Sequence, residues 1–275
     1  MFHVGLKRMV AEFLPGAGDP RGRGLSPGFR PWGVGACVTV AVDADCRRGP
    51  GPVGEVLQVL ARHRLTVVFA VAAAWLEKYP EIHRDIAAAG HEVMNEAGGH
   101  PVRGLESAVA VRVANPAIFR GEILRGHRLI VDRLGVVPVS FRPAGAMDLP
   151  SGVLYDLLAG PGYRCVASTV AVADRHRGLY HPVRANLWEF PATACPRHPG
   201  AAWGASHDGD AGDAASGEEI LAEGLASAAY LNLRINPAAD GAPAAAGHFL
   251  ARLASEPGVR VACYRDLVPS DGRTP

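Results

Sequence analysis

Short β-branched, apolar runs alternate with segments of helical period from residue 36 to residue 262. The first run, Ala36-Cys-Val-Thr-Val-Ala-Val42, has no polar face, so it reads as a strand covered on both sides. Val53, Val56, Leu57 and Leu60 then recur at helical spacing over 52–63. The reading continues with a strand at Leu65–Val71, a helix at 73–89 closed by Gly90, and a strand at His91–Asn95. A long helix at Pro116–Leu134, a strand at Val137–Arg142 and a helix at 150–160 come next. Strands at 163–168, 186–190, 229–235 and 259–262 complete it, with helices at 217–228 and 242–255. Alternation of this kind implies parallel strands with helices outside, as a closed barrel or an open doubly wound sheet. The class is α/β.

A chain of 275 residues is long enough for one such barrel. Residues 1–35 are rich in Gly, Pro and Arg and read as an N-terminal extension; 36–275 form the barrel domain. Within it, 192–216 carries Gly, Ala, Asp and His without a period and reads as a long loop from one strand end.

Lys and Arg number 28 against 27 Asp and Glu, mixed along the chain, which argues against a nucleic-acid or anionic-lipid partner. No run of 18 apolar residues and no signal-like segment occurs, so a cytoplasmic protein without a membrane contact is expected. Five cysteines at 37, 46, 165, 195 and 263, with no CxxC pair, fit a reducing compartment.

In parallel α/β folds chemistry gathers at the carboxyl ends of strands. Polar residues end each run: Asp43 and Asp45 after the first strand, Asn95-Glu96 with His100 four beyond, and Phe141-Arg142-Pro143. Trp188-Glu189 and Arg234-Ile235-Asn236 end two later strands. Two carboxylates one residue apart are costly to bury ionised, so Asp43 and Asp45 invite a cation, for which Arg142 and a divalent ion are candidates. Trp188 and Phe141, with Glu189, are candidate substrate contacts, since aromatic planes at a barrel mouth suit a sugar ring. Gly49-Pro-Gly51-Pro-Val-Gly54 matches a dinucleotide fingerprint, but the preceding turn is too long and the second strand ends without the acid that holds a ribose.

The DxD after an apolar strand, Gly90-His91-Glu92-Val93 running into Asn95-Glu96-Ala-Gly-Gly-His100-Pro101, and Phe141-Arg142-Pro143-Ala-Gly145 together resemble the polysaccharide deacetylase family, carbohydrate esterase family 4. The closing Val259-Arg-Val-Ala-Cys-Tyr-Arg-Asp266-Leu is similar to that family's terminal strand and helix. The resemblance implies a distorted (β/α)7 barrel and a hydrolase that removes an acyl group from an amide nitrogen.

It also implies roles. Asp43 is the general base, Arg142 orients it, and Asp45, Glu96 and His100 hold one divalent metal. His91 is implied to be structural. Glu96 stands where the family has histidine; the carboxylate lowers the site's charge and favours harder ions such as Mn, Co or Fe beside Zn. Asn236, in Leu233-Arg-Ile-Asn236-Pro237, stands where the family has its leaving-group acid, and an amide cannot serve as one. His176, His181, His198 and His207 are possible substitutes, none singled out by spacing.

The expected function is release of an acetyl or formyl group from a small soluble amino sugar or natural-product intermediate. Two alternatives stay open: a metal-assisted isomerase, cyclase or lyase of secondary metabolism, and a catalytically inactive ligand-binding barrel.

Overall fold

The computed structural model describes residues 23–24, 35–97, 116–144, 151–171, 178–182, 185–195, 214–227, 229–238 and 242–269. Twelve strands are present among them: β1 (Arg23–Gly24), β2 (Ala36–Asp43), β3 (Val68–Ala72), β4 (Glu92–Ala97), β5 (Ser140–Pro143), β6 (Cys165–Val166), β7 (Val170–Ala171), β8 (Tyr180–His181), β9 (Trp188–Glu189), β10 (Ala192–Thr193), β11 (Tyr230–Ile235) and β12 (Val259–Val261). The helices are α1 (Gly51–His63), α2 (Ala73–Lys78), α3 (Pro80–Ala88), α4 (Pro116–Leu134), α5 (Ser151–Ala159), α6 (Ala214–Ser227) and α7 (Ala242–Ser255), before a closing 3₁₀ turn at Tyr264–Asp266.

The main sheet runs β1-β8-β9-β6-β5-β4-β3-β2-β11, with β12 also on β2. From β9 to β11 every neighbouring pair is parallel, and the sheet curls. All eight residues of β2 are buried, because helices cover its outer face and the curl covers its inner one. Val38, Val40 and Val42 face the outer layer with Val53, Val56, Leu60 and Leu250. Cys37 and Ala41 face inward with Val68, Ala70, Met94, Trp188, Phe190, Tyr230 and Tyr264.

Side-chain bonds on Asn232 tie β11 to the segment around β10. Its N–H donates to Thr193 Oγ1 at 2.9 Å and its Nδ2 to the Phe190 carbonyl at 2.7 Å. Its Oδ1 accepts from Tyr264 at 2.8 Å and Thr39 at 3.1 Å. A buried carboxamide bonded through both its oxygen and its nitrogen holds one arrangement.

Several expectations need correction. The helix expected over 73–89 is two, α2 and α3, broken at Tyr79 (φ −131°, ψ 62°), because Pro80 supplies no N–H and bars Tyr79 from helical geometry. Part of the N-terminal extension joins the sheet, Arg23–Gly24 pairing antiparallel with Tyr180–His181. The loop expected at 192–216 begins with strand β10, which pairs with β7, and helix α6 starts at Ala214. No described helix is long and apolar enough to cross a membrane.

Candidate active site

Strand alternation decides which residues meet at the barrel mouth. Asp43 ends β2 facing inward, and the register sets Ala70 beside it. Glu96 of β4 lies beside Arg142 of β5. Arg142 is buried, and its Nη2 donates both to Asp43 Oδ1 and, at 2.8 Å, to Glu96 Oε1. Arg234, on the inward face of β11, places its own Nη2 3.5 Å from Asp43 Oδ2. Burial pushes the Asp43 carboxyl up, but the charges of Arg142 and Arg234 outweigh it and hold the group below its ordinary value. Two carboxylates and two guanidinium groups thus share one end of the barrel with no net charge.

Asp45 lies two residues beyond Asp43, and Arg47 engages both its oxygens: the backbone N–H donates to Oδ1 at 3.0 Å and Nε to Oδ2 at 2.5 Å. Because the Arg47 side chain is 64% exposed, that pair costs little to open. Glu96 Oε2 has no partner among the described residues. Asp45 and Glu96 therefore offer oxygen donors of the kind a hard divalent ion takes, and the donor chemistry fits such an ion. The third implied donor, His100, lies outside the described residues, and among those described no three of His, Cys, Asp or Glu form a metal-holding group.

Three expected substrate contacts are placed differently. The alternation that turns Arg142 inward turns Phe141 outward, where it packs edge-on against Phe119 at 6.2 Å and close to Tyr163 at 5.6 Å. Glu189 likewise faces outward and is fully buried. It accepts from Tyr155 at 3.1 Å, from the Ser168 N–H and hydroxyl at 2.8 Å each, and from the Thr169 N–H and hydroxyl at 3.1 Å each. Burial raises its pKa despite those donors. Trp188 faces inward but is 2% exposed and fills the barrel, with His181 edge-on at 5.4 Å. These three side chains build the wall and offer no open face to a ligand.

Asn236 follows β11, and its Oδ1 accepts from the Ala238 N–H at 3.0 Å. Of the four candidate acids only His181 is described, while His176, His198 and His207 fall outside the described residues. Burial lowers the pKa of His181. His91 accepts from the Val67 N–H at 3.3 Å and packs on Phe69 at 5.1 Å, which makes it a support of the β3–β4 pairing. Arg234 is the site residue to which sequence reasoning gave no role. Its signal was its position at the end of the apolar β11 run, two residues before Asn236.

Residues 38–150 match the model of the family described as Polysaccharide deacetylase. A chitooligosaccharide deacetylase of Sinorhizobium fredii (strain NBRC 101917 / NGR234) is 46% identical over 55 residues, which are 19% of this chain and 26% of that protein. The chain thus aligns with about a quarter of that relative's length. A solved structure assigned as a polysaccharide deacetylase of Mycobacterium smegmatis superposes with a TM-score of 0.68 at 20% identity, covering 89% of this chain and 92% of that one. A structure of Puue allantoinase superposes with a TM-score of 0.62 at 12% identity, covering 86% and 90%. The family resemblance read from the motifs is borne out, and so is the deacetylase-type barrel.

Proposed function

We propose that this chain, with the fold of the polysaccharide deacetylases and their sequence signature over 38–150, is a hydrolase that removes an acetyl or formyl group from an amide nitrogen. The observation that carries the reading is the carboxylate Asp43, held at the carboxyl end of a parallel barrel by the buried Arg142. A base so fixed needs no reorientation when water is presented to it.

Asp43 takes a proton from the attacking water, and Arg142 keeps the carboxylate turned toward it. One divalent ion, Zn or a harder Mn, Co or Fe, held by Asp45, Glu96 and His100, would polarise the acyl carbonyl and acidify that water. Asn236 cannot protonate the leaving nitrogen, so in this reading Asp43 returns the proton it has taken. A carboxyl whose pKa the two arginines hold down gives that proton up readily.

The substrate in this reading is a small soluble amino sugar or natural-product intermediate bearing an N-acyl group. Five widely spaced cysteines with no CxxC pair support a cytosolic setting. The test is release of acetate or formate from N-acylated amines by the protein incubated with Zn, Mn or Co, compared with Asp43→Asn. Acid release by the parent and not by the variant is expected. A product of unchanged mass would instead favour the isomerase reading, and no turnover with no metal uptake would favour the ligand-binding barrel.

A further inference from the structure

Arg234 is on the inward face near the end of β11, and Asn236 follows two residues later, just beyond the strand, where the chain turns. Both are donors with little to donate to. The Arg234 side chain is 23% exposed, its contact with Asp43 Oδ2 is long at 3.5 Å, and its buried Nε has no partner among the described residues. Asp43 is already bound through its other oxygen by Arg142, so Arg234 is the less engaged of the two guanidinium groups. Asn236 is half-buried, and its Oδ1 accepts from the Ala238 N–H at 3.0 Å. That bond fixes which end of the amide is nitrogen and leaves Nδ2 without an acceptor among the described residues.

A neutral sugar hydroxyl both gives and takes hydrogen bonds, and a lining that recognises it mixes donors with acceptors. Arg234 and Asn236 Nδ2 supply N–H donors here, the former on a planar cation suited to two parallel bonds. The matching ligand group accepts only and carries negative charge.

We propose that Arg234 and Asn236 bind a carboxylate of the substrate, so that the amide hydrolysed is that of an acylated amine bearing an acid group near the nitrogen. The inference rests on the deacylase reading above and narrows its substrate class. Arg142 would hold the base while Arg234 holds the substrate, dividing two similar side chains between two tasks.

The test compares N-acetylglycine with its neutral counterpart N-acetylglycinamide, with binding followed by titration calorimetry or NMR and turnover by acetate release. Wild-type protein is expected to bind N-acetylglycine roughly tenfold more tightly, and Arg234→Gln to bind the two alike, with Arg234→Lys intermediate. A melting temperature of Arg234→Gln close to the parent's shows that the fold is kept. If Arg234 served only to steady Asp43, its loss would slow turnover of both amides equally and leave the charge preference intact, which overturns the proposal. Equal affinity of wild type for the two compounds, or no binding of either, also overturns it. The two readings fail separately: acetate released equally from both amides sinks the carboxylate site alone. Charge-selective binding through Arg234 without acetate release sinks hydrolysis alone.

Discussion

Arg142 gives the same nitrogen to Asp43 and to Glu96, so two carboxylates from non-adjacent strands depend on one buried cation. Arg142→Gln leaves Glu96 without its cation and Asp43 with only the longer contact to Arg234. The expected loss of stability is about 3 kcal/mol, measured by urea unfolding. The double variant Arg142→Gln, Glu96→Gln is expected to recover part of it, because one of the stranded charges is removed with its partner.

Asp43→Asn keeps the shape of the base and removes its charge. Acid release is expected to fall by roughly a hundredfold or more, with the far-ultraviolet circular dichroism unchanged. Retention of the parent's turnover would take Asp43 out of the mechanism.

Gly126 of α4 lies against Asn95 of β4 so closely that a Cβ there would sit 2.3 Å from Asn95 Oδ1. Asn95 is held in place by its Nδ2, which donates to the Ile123 carbonyl at 3.0 Å and to Tyr163 at 2.6 Å. Gly126→Ala is therefore expected to cost about 2 kcal/mol in denaturant unfolding. Pairing it with Asn95→Ala is expected to cost less than the two single changes summed, since the obstructed atom is gone.

Burial, aided by the Arg265 charge, pushes the His91 pKa down to about 4. The unfolded chain takes up this proton near pH 6.5 and the folded one only near 4, so the unfolded state binds more protons between them. Stability from the neutral ring is full above pH 6.5 and declines as pH falls toward 4. His91→Gln, which still accepts from Val67 but does not titrate, is expected to flatten the melting temperature across that window relative to the parent.

Much of the barrel was legible in sequence because a parallel strand covered on both faces leaves an unbroken apolar run, as Ala36–Val42 does, and a long amphipathic helix leaves its period, as Pro116–Leu134 does. Helix α4 spans the expected residues. The strands Cys165–Val166 and Trp188–Glu189 are shorter than their apolar runs suggested. Apolar content marks burial, whereas ladder bonds end where the curled sheet parts from its neighbour.

The sequence by itself determined which polar residues end the strands and made Arg142 a candidate partner of Asp43, since strand ends in a parallel sheet converge on one edge. Which of those residues look inward was decided by tertiary structure. Phe141 and Arg142 are neighbours in sequence, yet one packs on Phe119 and the other binds Asp43. Glu189, equally a strand-end carboxylate, is consumed by Tyr155, Ser168 and Thr169 on the outer side. The physical reason is the two-residue period of a strand: a shift of one position exchanges the barrel's interior for its helical coat, and only the register against neighbouring strands sets that phase.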